Sequence, residues 1–249
     1  QLSGVDLDYG PSLGVSLNSD GTIVAVGSWN NGQGGIGGAG HVRVYKYTTT
    51  WTQIGSDIDG QTYYERSGYS ISLNYDGTLV AIGAPYMITG GNGNVRIYKW
   101  TGSIWQQRGM TICGEAIEDL FGISVSLNAV GDILAFGSSS SSPPGTAGLY
   151  YGQVRVYKWI NDISWVKQGQ SIYGRYYDQR LGVNVALNSV GDIVAIGSSD
   201  AYDNNGEVIV YKWNAVSFLW EQYAHILSNL SQGETFGRAL ALNAAGNRL

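Results

Sequence analysis

Residues 181–222 read LGVNVALNSVGDIVAIGSSDAYDNNGEVIVYKWNAVSFLWEQ, and this stretch decides the fold. Segment a, Asn184–Asn188, alternates apolar with small or polar residues, as a half-buried strand does. Segment b, Ile193–Gly197, is apolar without alternation and predicts a strand buried on both faces. Segment c, Val208–Lys212, and segment d, which begins at Trp220, complete four short strands joined by turns. The stretch therefore predicts a four-stranded antiparallel unit.

The same unit recurs along the chain. The asparagine that closes segment a is found at Asn18, Asn74, Asn128, Asn188 and Asn243, 54 to 60 residues apart. A four-stranded repeat of about 40–50 residues is typical of propeller blades, and one blade cannot bury both its faces alone. The fold class predicted is all-β, a β-propeller of four-stranded antiparallel blades with repeats of about 55 residues.

Residues 1–249 are predicted to form a single β-propeller domain or a portion of one. The repeat boundaries predict four full blades, at residues 12–60, 68–114, 122–174 and 182–229. A partial fifth blade covers residues 237–249, with residues 1–4 as an outer-strand remnant. We therefore expect the chain to be part of a longer one, and a strand left without a partner to favour self-association through the incomplete blade.

Each unit also carries two aromatic residues, one near the end of segment c and one at the start of segment d. We expect each pair to meet across the c–d hairpin and to pack in the core. A sugar platform is the alternative role for these rings. The pairs are Tyr47 with Trp51, Trp100 with Trp105, Trp159 with Trp165, and Trp213 with Trp220.

Composition excludes several function classes. A net charge of −5 and a pI near 4.9 argue against nucleic-acid binding, which needs a basic face. Cys113 is the only cysteine, so the chain can form no internal disulfide and no cysteine-based metal site. Its apolar runs are too short for membrane insertion. We expect an extracellular location or one on a cell or particle surface.

Two motifs resemble the FG-GAP repeat of integrin α-chain propellers. They are FGISV at Phe121–Val125 and VAIGAP at Val80–Pro85. The WTQIG of Trp51–Gly55 and the DLFG of Asp119–Gly122 are more similar to the microbial branch of that superfamily. The resemblance implies an integrin-like propeller and a role in cell adhesion.

That family often holds Ca²⁺ in the turn between segments a and b. Here those turns read NSDGT, NYDGT, NAVGD, NSVGD and NAAGN, with one carboxylate at most. Ca²⁺ takes six to eight oxygen ligands, several of them charged. We therefore predict no metal in these turns and no cofactor. The loop Asp200–Glu207 is acidic enough to be considered as a Ca²⁺ site. The favoured interpretation is a polar b–c loop without metal.

Since successive strands alternate in direction, the d–a and b–c connections should emerge on one face. These connections vary in length and are rich in tyrosine, which suits recognition of a protein or glycan on a surface. The alternative is that many of these tyrosines cap blade cores. The predicted ligand-binding residues are Tyr63, Tyr64, Glu65, Arg66, Glu118, Asp119, Tyr150, Tyr151, Tyr176, Tyr177 and Asp178.

The main functional prediction is a non-enzymatic binding or adhesion module. One alternative is a structural repeat unit of a larger extracellular or surface assembly. A second is a polysaccharide-active propeller enzyme, whose candidate carboxylates are Glu65, Glu115, Glu118, Asp119 and Asp178. His41 and His225 occupy unrelated repeat positions, so no catalytic residue is assigned and the chain is predicted not to be an enzyme.

Overall fold

The structure is a computed structural model that describes residues 14–32, 37–85, 92–115, 119–146, 148–199, 206–227 and 235–249. These residues form four antiparallel sheets, and no helix occurs among them. The described part of the chain therefore contains no helix able to span a membrane. The predicted outer-strand remnant at residues 1–4 lies outside the described residues.

The strands follow the predicted order of four segments per blade. Blade 1 contains β1 (Val15–Leu17), β2 (Ile23–Ser28), β3 (His41–Tyr47), β4 (Trp51–Gln53) and β5 (Ile58–Asp59). Blade 2 contains β6 (Ser70–Leu73), β7 (Leu79–Ala84), β8 (Asn94–Trp100), β9 (Trp105–Gln107) and β10 (Ile112–Cys113). Blade 3 contains β11 (Phe121–Leu127), β12 (Ile133–Ser138), β13 (Gln153–Ile160), β14 (Ser164–Lys167) and β15 (Ile172–Tyr173). Blade 4 contains β16 (Asn184–Leu187), β17 (Ile193–Ser198), β18 (Glu207–Asn214) and β19 (Leu219–Leu227).

The outer segment d differs between blades. In blades 1 to 3 it is broken into two short strands that both pair with segment c. In blade 4 it is the continuous β19, whose register with β18 shifts between Val210 and Tyr211. The outer strand of blade 4 is thus continuous, whereas the outer strand of each other blade is interrupted.

Apolar side chains fill the spaces between successive blades. The second strand of blade 2 shows the pattern, because Val80 and Ile82 join the cluster shared with blade 1, while Leu79 and Ala81 join that shared with blade 3. A third cluster lies between blades 3 and 4. Segment b is therefore buried on both faces, as predicted, and stacking supplies the burial that a lone blade lacks.

The inner strands surround a channel of about 880 Å³. Serines of segment a tie neighbouring blades together here. Ser16 Oγ accepts from the Leu73 N–H at 2.9 Å, Ser72 Oγ from Leu127 at 2.9 Å, and Ser126 Oγ from Leu187 at 3.0 Å. Blade 4 has Ala186 at this position, and residues 239–243, which follow the pattern of segment a, form no strand.

The a–b turns form a second link around the channel. The N–H after the marker asparagine donates to the matching carbonyl of the next turn, each time at 3.0 Å. The chain of bonds runs from Ser19 to Tyr75, from Tyr75 to Ala129, from Ala129 to Ser189 and from Ser189 to Ala244. The fifth turn is therefore placed in the ring like the other four.

The predicted aromatic pairs are confirmed. All four are direct cross-strand partners in the c–d hairpins, with ring centroids 5.3 to 5.5 Å apart. In blades 2 to 4 the second tryptophan also donates its Nε1–H to a carbonyl of the preceding blade. These rings pack blade against blade.

Candidate functional site

The d–a and b–c connections lie together, as predicted, on what we call the upper face. The Arg66 N–H donates to the Gly38 carbonyl and the Arg180 N–H to the Tyr150 carbonyl, both at 3.1 Å. The a–b and c–d turns form the opposite, lower face. Side chains of the connections are therefore placed by backbone hydrogen bonds to the loops beside them.

The first group of predicted ligand-binding residues lies in the connection between blades 1 and 2. Tyr63 and Tyr64 are exposed and meet edge to face with ring centroids 5.0 Å apart. Arg66 stacks over the Trp29 ring at 4.7 Å. Glu65, in contrast, is buried and forms a 2.9 Å ion pair with Arg96. Its carboxylate is a structural partner within the interface.

The second group lies where blade 3 meets blade 4. Arg180 pairs with Asp178 at 2.9 Å and lies over the Tyr150 ring at 5.7 Å. Tyr177 is 71% exposed, whereas Tyr151 and Tyr176 are half-buried. Of the remaining candidates, Asp119 is buried and Glu118 lies outside the described residues. The structure thus distributes the described candidates over the connections between blades 1 and 2, blades 2 and 3, and blades 3 and 4.

A buried polar residue recurs in these connections. Glu65, Asp119 and Gln179 occupy the same repeat position, and all three are buried. In blade 2 the contacts are known, since Glu65 Oε1 accepts from Asn94 and Arg96, both at 2.9 Å. This acid–arginine pattern serves blade packing.

Blade 4 departs from that pattern. Its connection supplies the amide Gln179 where blade 2 supplies an acid, and the acid has moved to Glu207 at the start of β18. The arginine of blades 1 to 3 is replaced by Ile209, which lies opposite His225 in β19. A histidine therefore takes the place of a permanently charged arginine, and only the histidine can exchange a proton near neutral pH.

Glu207 is held by three side chains. It is 1% exposed. Tyr176 Oη donates to its Oε1 at 3.1 Å, Gln179 Nε2 donates to the same oxygen, and His225 Nε2 contacts Oε2. Glu207 thus has a side-chain contact on each of its two oxygens. An imidazole whose Nε2–H points at a carboxylate keeps Nδ1 as its acceptor nitrogen.

The pair reaches the surface through His225, whose side chain is 22% exposed. Arg175 is exposed nearby and hydrogen-bonds Gln222. Burial raises the pKa of Tyr211, which lies in the same interface, so its phenol stays protonated at neutral pH. A buried carboxylate that orients a partly exposed imidazole is an arrangement suited to general-base chemistry.

The repeat pattern did not indicate this site. No other blade has a histidine at the position of His225, so this residue stands outside the pattern. The available signal was the loss of pattern within blade 4, where Gln179 and Ile209 replace the acid and arginine found in blade 2. A comparison of repeats identifies residues that the blades have in common, whereas Glu207 and His225 are particular to blade 4.

One further group of potential metal ligands exists among the described residues. Ligand atoms of His41, Asp57 and Asp59 lie within 4.8 Å of one another. However, Arg43 forms a 2.9 Å ion pair with Asp57. Burial alone would raise the pKa of Asp57, but hydrogen bonds from Arg43 and Gln53 outweigh it and lower the pKa. A guanidinium already neutralises this carboxylate, so the group fits a cation poorly, and the absence of a cofactor stays a prediction.

Comparisons with known proteins support the fold. No protein-family model matches the chain, and no curated protein matches it. Among solved structures, the periplasmic gluconolactonase PpgL of Pseudomonas aeruginosa is 15% identical with a TM-score of 0.59, over 95% of this chain and 63% of that one. A putative 6-phosphogluconolactonase from Bacteroides uniformis is 14% identical with a TM-score of 0.56, over 86% and 54%. A hypothetical selenium-binding protein from Sulfolobus tokodaii is 11% identical with a TM-score of 0.60, over 87% and 55%.

At these identities the likeness shows the β-propeller fold, which confirms the predicted fold class. The chain spans 45% to 63% of the length of the structures it resembles. FG-GAP membership in particular receives no specific support from these neighbours.

The comparisons also correct two functional predictions. The chain was expected to be a non-enzymatic binding or adhesion module, and not an enzyme. The solved neighbours instead include two proteins titled as lactonases, so the findings favour the enzyme alternative. The sequence pattern could not indicate this, because the repeats reveal positions that the blades share, and a site confined to one blade leaves no repeated signal.

Proposed function

We propose that this chain is the propeller of a hydrolase that opens a lactone or related ester of a sugar acid. The observation that carries the proposal is the Glu207–His225 pair, in which a buried carboxylate orients a partly exposed imidazole. The lactonase titles of two solved neighbours supply the substrate class. Substrate, reaction and site are properties proposed for this chain.

The proposed reaction is attack by water on the ester carbonyl. Nδ1 of His225 takes a proton from a water molecule as the water oxygen bonds to the carbonyl carbon. The tetrahedral intermediate then breaks its bond to the ring oxygen, and the proton on His225 passes to that leaving oxygen. The products are a carboxylic acid, which ionises, and an alcohol. Glu207 stabilises the imidazolium between the two steps.

Other residues of the cluster position the pair. Tyr176 and Gln179 both donate to Oε1 of Glu207, which leaves Oε2 for the imidazole. In blade 2, by contrast, the carboxylate of Glu65 is paired with Arg96 and has no imidazole partner. A glycosidase would instead need two carboxylates on opposite sides of a scissile bond. The carboxylate–imidazole pair therefore favours acyl hydrolysis over the polysaccharide cleavage first considered.

The test is hydrolysis of gluconolactone and 6-phosphogluconolactone, followed by release of acid, with the parent, His225→Gln and Glu207→Gln. We expect His225→Gln to lower the rate by about 10²–10⁴-fold, the usual contribution of a general base. Glu115→Gln is the matched control, because Glu115 is an exposed upper-face carboxylate paired with Arg155. Equal loss in Glu115→Gln, full activity in His225→Gln, or no activity in the parent would each overturn the proposal.

Two finer assignments belong with this proposal. The FG-GAP relationship is supported by the burial of Phe121 and by the positive φ of 84° at Gly122, which the FG dipeptide provides. A location outside the cell or on a cell or particle surface is proposed from the sequence alone. Partners other than the substrate remain predictions from the sequence.

A further inference from the structure

Arg175 is an exposed arginine beside the proposed site that the hydrolysis does not yet use. It lies in the connection between blades 3 and 4. Its backbone N–H donates to Gln179 Oε1, and Nε2 of the same glutamine donates to Glu207. The next residue, Tyr176, donates its hydroxyl to Glu207 at 3.1 Å. The segment that supports the buried carboxylate therefore also positions Arg175.

The guanidinium of Arg175 reaches the strand that carries His225. It donates to Gln222 Oε1 in β19. In the pairing of β18 with β19, Gln222 lies opposite Tyr211, and His225 lies opposite Ile209. Ile209 and Tyr211 both pack in the cluster between blades 3 and 4. Directly paired side chains of an antiparallel sheet share one face, so Gln222 and His225 face blade 3 as well.

The cation and the imidazole are therefore neighbours on one face of blade 4. Ile209 and Tyr211 are two residues apart in β18, which corresponds to about 7 Å along a strand. Burial raises the pKa of Tyr211, and the nearby Arg175 guanidinium offsets part of that rise. This effect places the arginine charge in the same interface, one strand step from His225.

Arg175 forms no ion pair within the part of the chain that the structure describes. The arginine ion pairs found there join Arg43 to Asp57, Arg96 to Glu65, Arg155 to Glu115, and Arg180 to Asp178. Arg175 instead contacts the neutral amide oxygen of Gln222. A guanidinium is always charged and carries several N–H donors, so it can still bind an anion.

We infer that Arg175 selects a lactone that carries a phosphate group, and that it binds this phosphate while His225 acts at the lactone carbonyl. The inference rests on the proposed hydrolysis and narrows its substrate. In 6-phosphogluconolactone the phosphate is on carbon 6 and the carbonyl is carbon 1, so the two groups lie at opposite ends of the molecule. Such a substrate suits two protein groups one strand step apart, and guanidinium binds phosphate oxygens through paired N–H groups.

The test compares hydrolysis of 6-phosphogluconolactone and gluconolactone by the parent and by Arg175→Met. The variant should lower kcat/KM for the phosphorylated lactone by about 10–100-fold, as expected when a charged group loses its hydrogen-bond partner. The loss should appear mainly in KM, because the phosphate takes no part in bond cleavage. Gluconolactone has no phosphate, so its kcat/KM should be unchanged. Arg175→Lys keeps the charge without the planar fork and should recover part of the loss.

The matched control is Arg180→Met, in the same connection. Arg180 is also exposed, but it forms a 2.9 Å ion pair with Asp178. Its removal should leave kcat/KM for both lactones as in the parent. Matching thermal melts of the parent and the variants establish that all of them are folded.

An equal loss on both lactones in Arg175→Met, the same selective loss in Arg180→Met, or a parent that prefers gluconolactone would overturn the inference and leave the proposed hydrolysis standing. Hydrolysis of neither lactone by the parent would instead overturn the proposed function.

Calorimetric titration with 6-phosphogluconate tests the phosphate contact without catalysis, and gluconate is the matching ligand without phosphate. Tighter binding of 6-phosphogluconate by the parent, abolished in Arg175→Met, would support the phosphate contact. Equal binding of the two ligands, or no binding of either, would overturn it.

Discussion

Trp165 of blade 3 donates its Nε1–H to the carbonyl oxygen of Arg108 in blade 2 at 3.0 Å. The next residue, Gly109, has a φ of 82°, and a Cβ there would lie 2.8 Å from the Trp159 ring. The same contact joins Trp105 to Ile54 and Trp220 to Gln168. In blades 2 to 4 the aromatic pair thus packs against a glycine of the preceding blade, namely Gly55, Gly109 or Gly169.

Replacing Gly109 with alanine should destabilise the chain strongly. The new Cβ collides with two tryptophan rings and also disfavours the left-handed backbone. Together these effects should cost about 2–4 kcal/mol, measured by urea denaturation. Gly145→Ala is the control, with a φ of 85° and no atom within 4 Å of its Cβ, and should lose only the backbone part.

Replacing Ser126 with alanine should weaken the joint between blades 3 and 4. The Leu187 N–H would lose the Oγ that accepts its hydrogen bond at 3.0 Å. An unsatisfied N–H here should cost about 1–3 kcal/mol in the free energy of unfolding. Ser126→Thr keeps the hydroxyl and should recover most of that loss. A neutral effect of Ser126→Ala would show that the bond contributes nothing.

Breaking the Glu65–Arg96 ion pair should be costly because both groups are buried. Arg96→Met leaves an unpaired carboxylate and should destabilise by about 3–5 kcal/mol. The double variant Glu65→Gln/Arg96→Met removes both charges and should be more stable than Arg96→Met alone. Thermal melts of the set check the prediction, and a double variant no better than the single one would contradict it.

Stability should fall in acid partly through Asp57. Its folded pKa is lowered, so the charged form stabilises the fold above the ordinary carboxyl pKa of about 4. That contribution is lost as pH falls through the lowered folded value. Urea unfolding from pH 7 to pH 3 should show a shallower decline for Asp57→Asn than for the parent. Parallel curves would mean that the Arg43–Asp57 pair is energetically silent.

The sequence predicted the features that every blade repeats. The apolar run Ile193–Gly197 forms a buried strand, and Trp213 meets Trp220, because both depend on local pattern and hairpin geometry. The Glu207–His225 pair is held in part by Gln179, which donates to Glu207 from a connection 28 residues away in the sequence. No periodicity encodes such a contact, so only the folded structure brings these residues together.

Positive φ values likewise fall into those that the sequence predicts and those that it does not. Glycine turns such as Gly77 are readable from the sequence, whereas Arg66, Leu120 and Arg180 are left-handed because the connections cross over segment c. These three residues occupy one repeat position, so their strain belongs to the fold and not to a site. Phe218 lies in a c–d turn, and the same turn has positive φ at Gly102 in blade 2 and at Asn161 and Asp162 in blade 3.

The line of backbone hydrogen bonds through the a–b turns does not require particular side chains at its positions. The residues that make it are Ser19, Tyr75, Ala129, Ser189 and Ala244, which differ in size and polarity. Main-chain atoms form all four of these bonds, and Ser189 adds a bond from its Oγ to the Ala244 carbonyl at 2.8 Å. Substitution at these positions therefore leaves the backbone link between the turns in place. The lower rim can therefore diversify during evolution while the architecture above it is inherited unchanged.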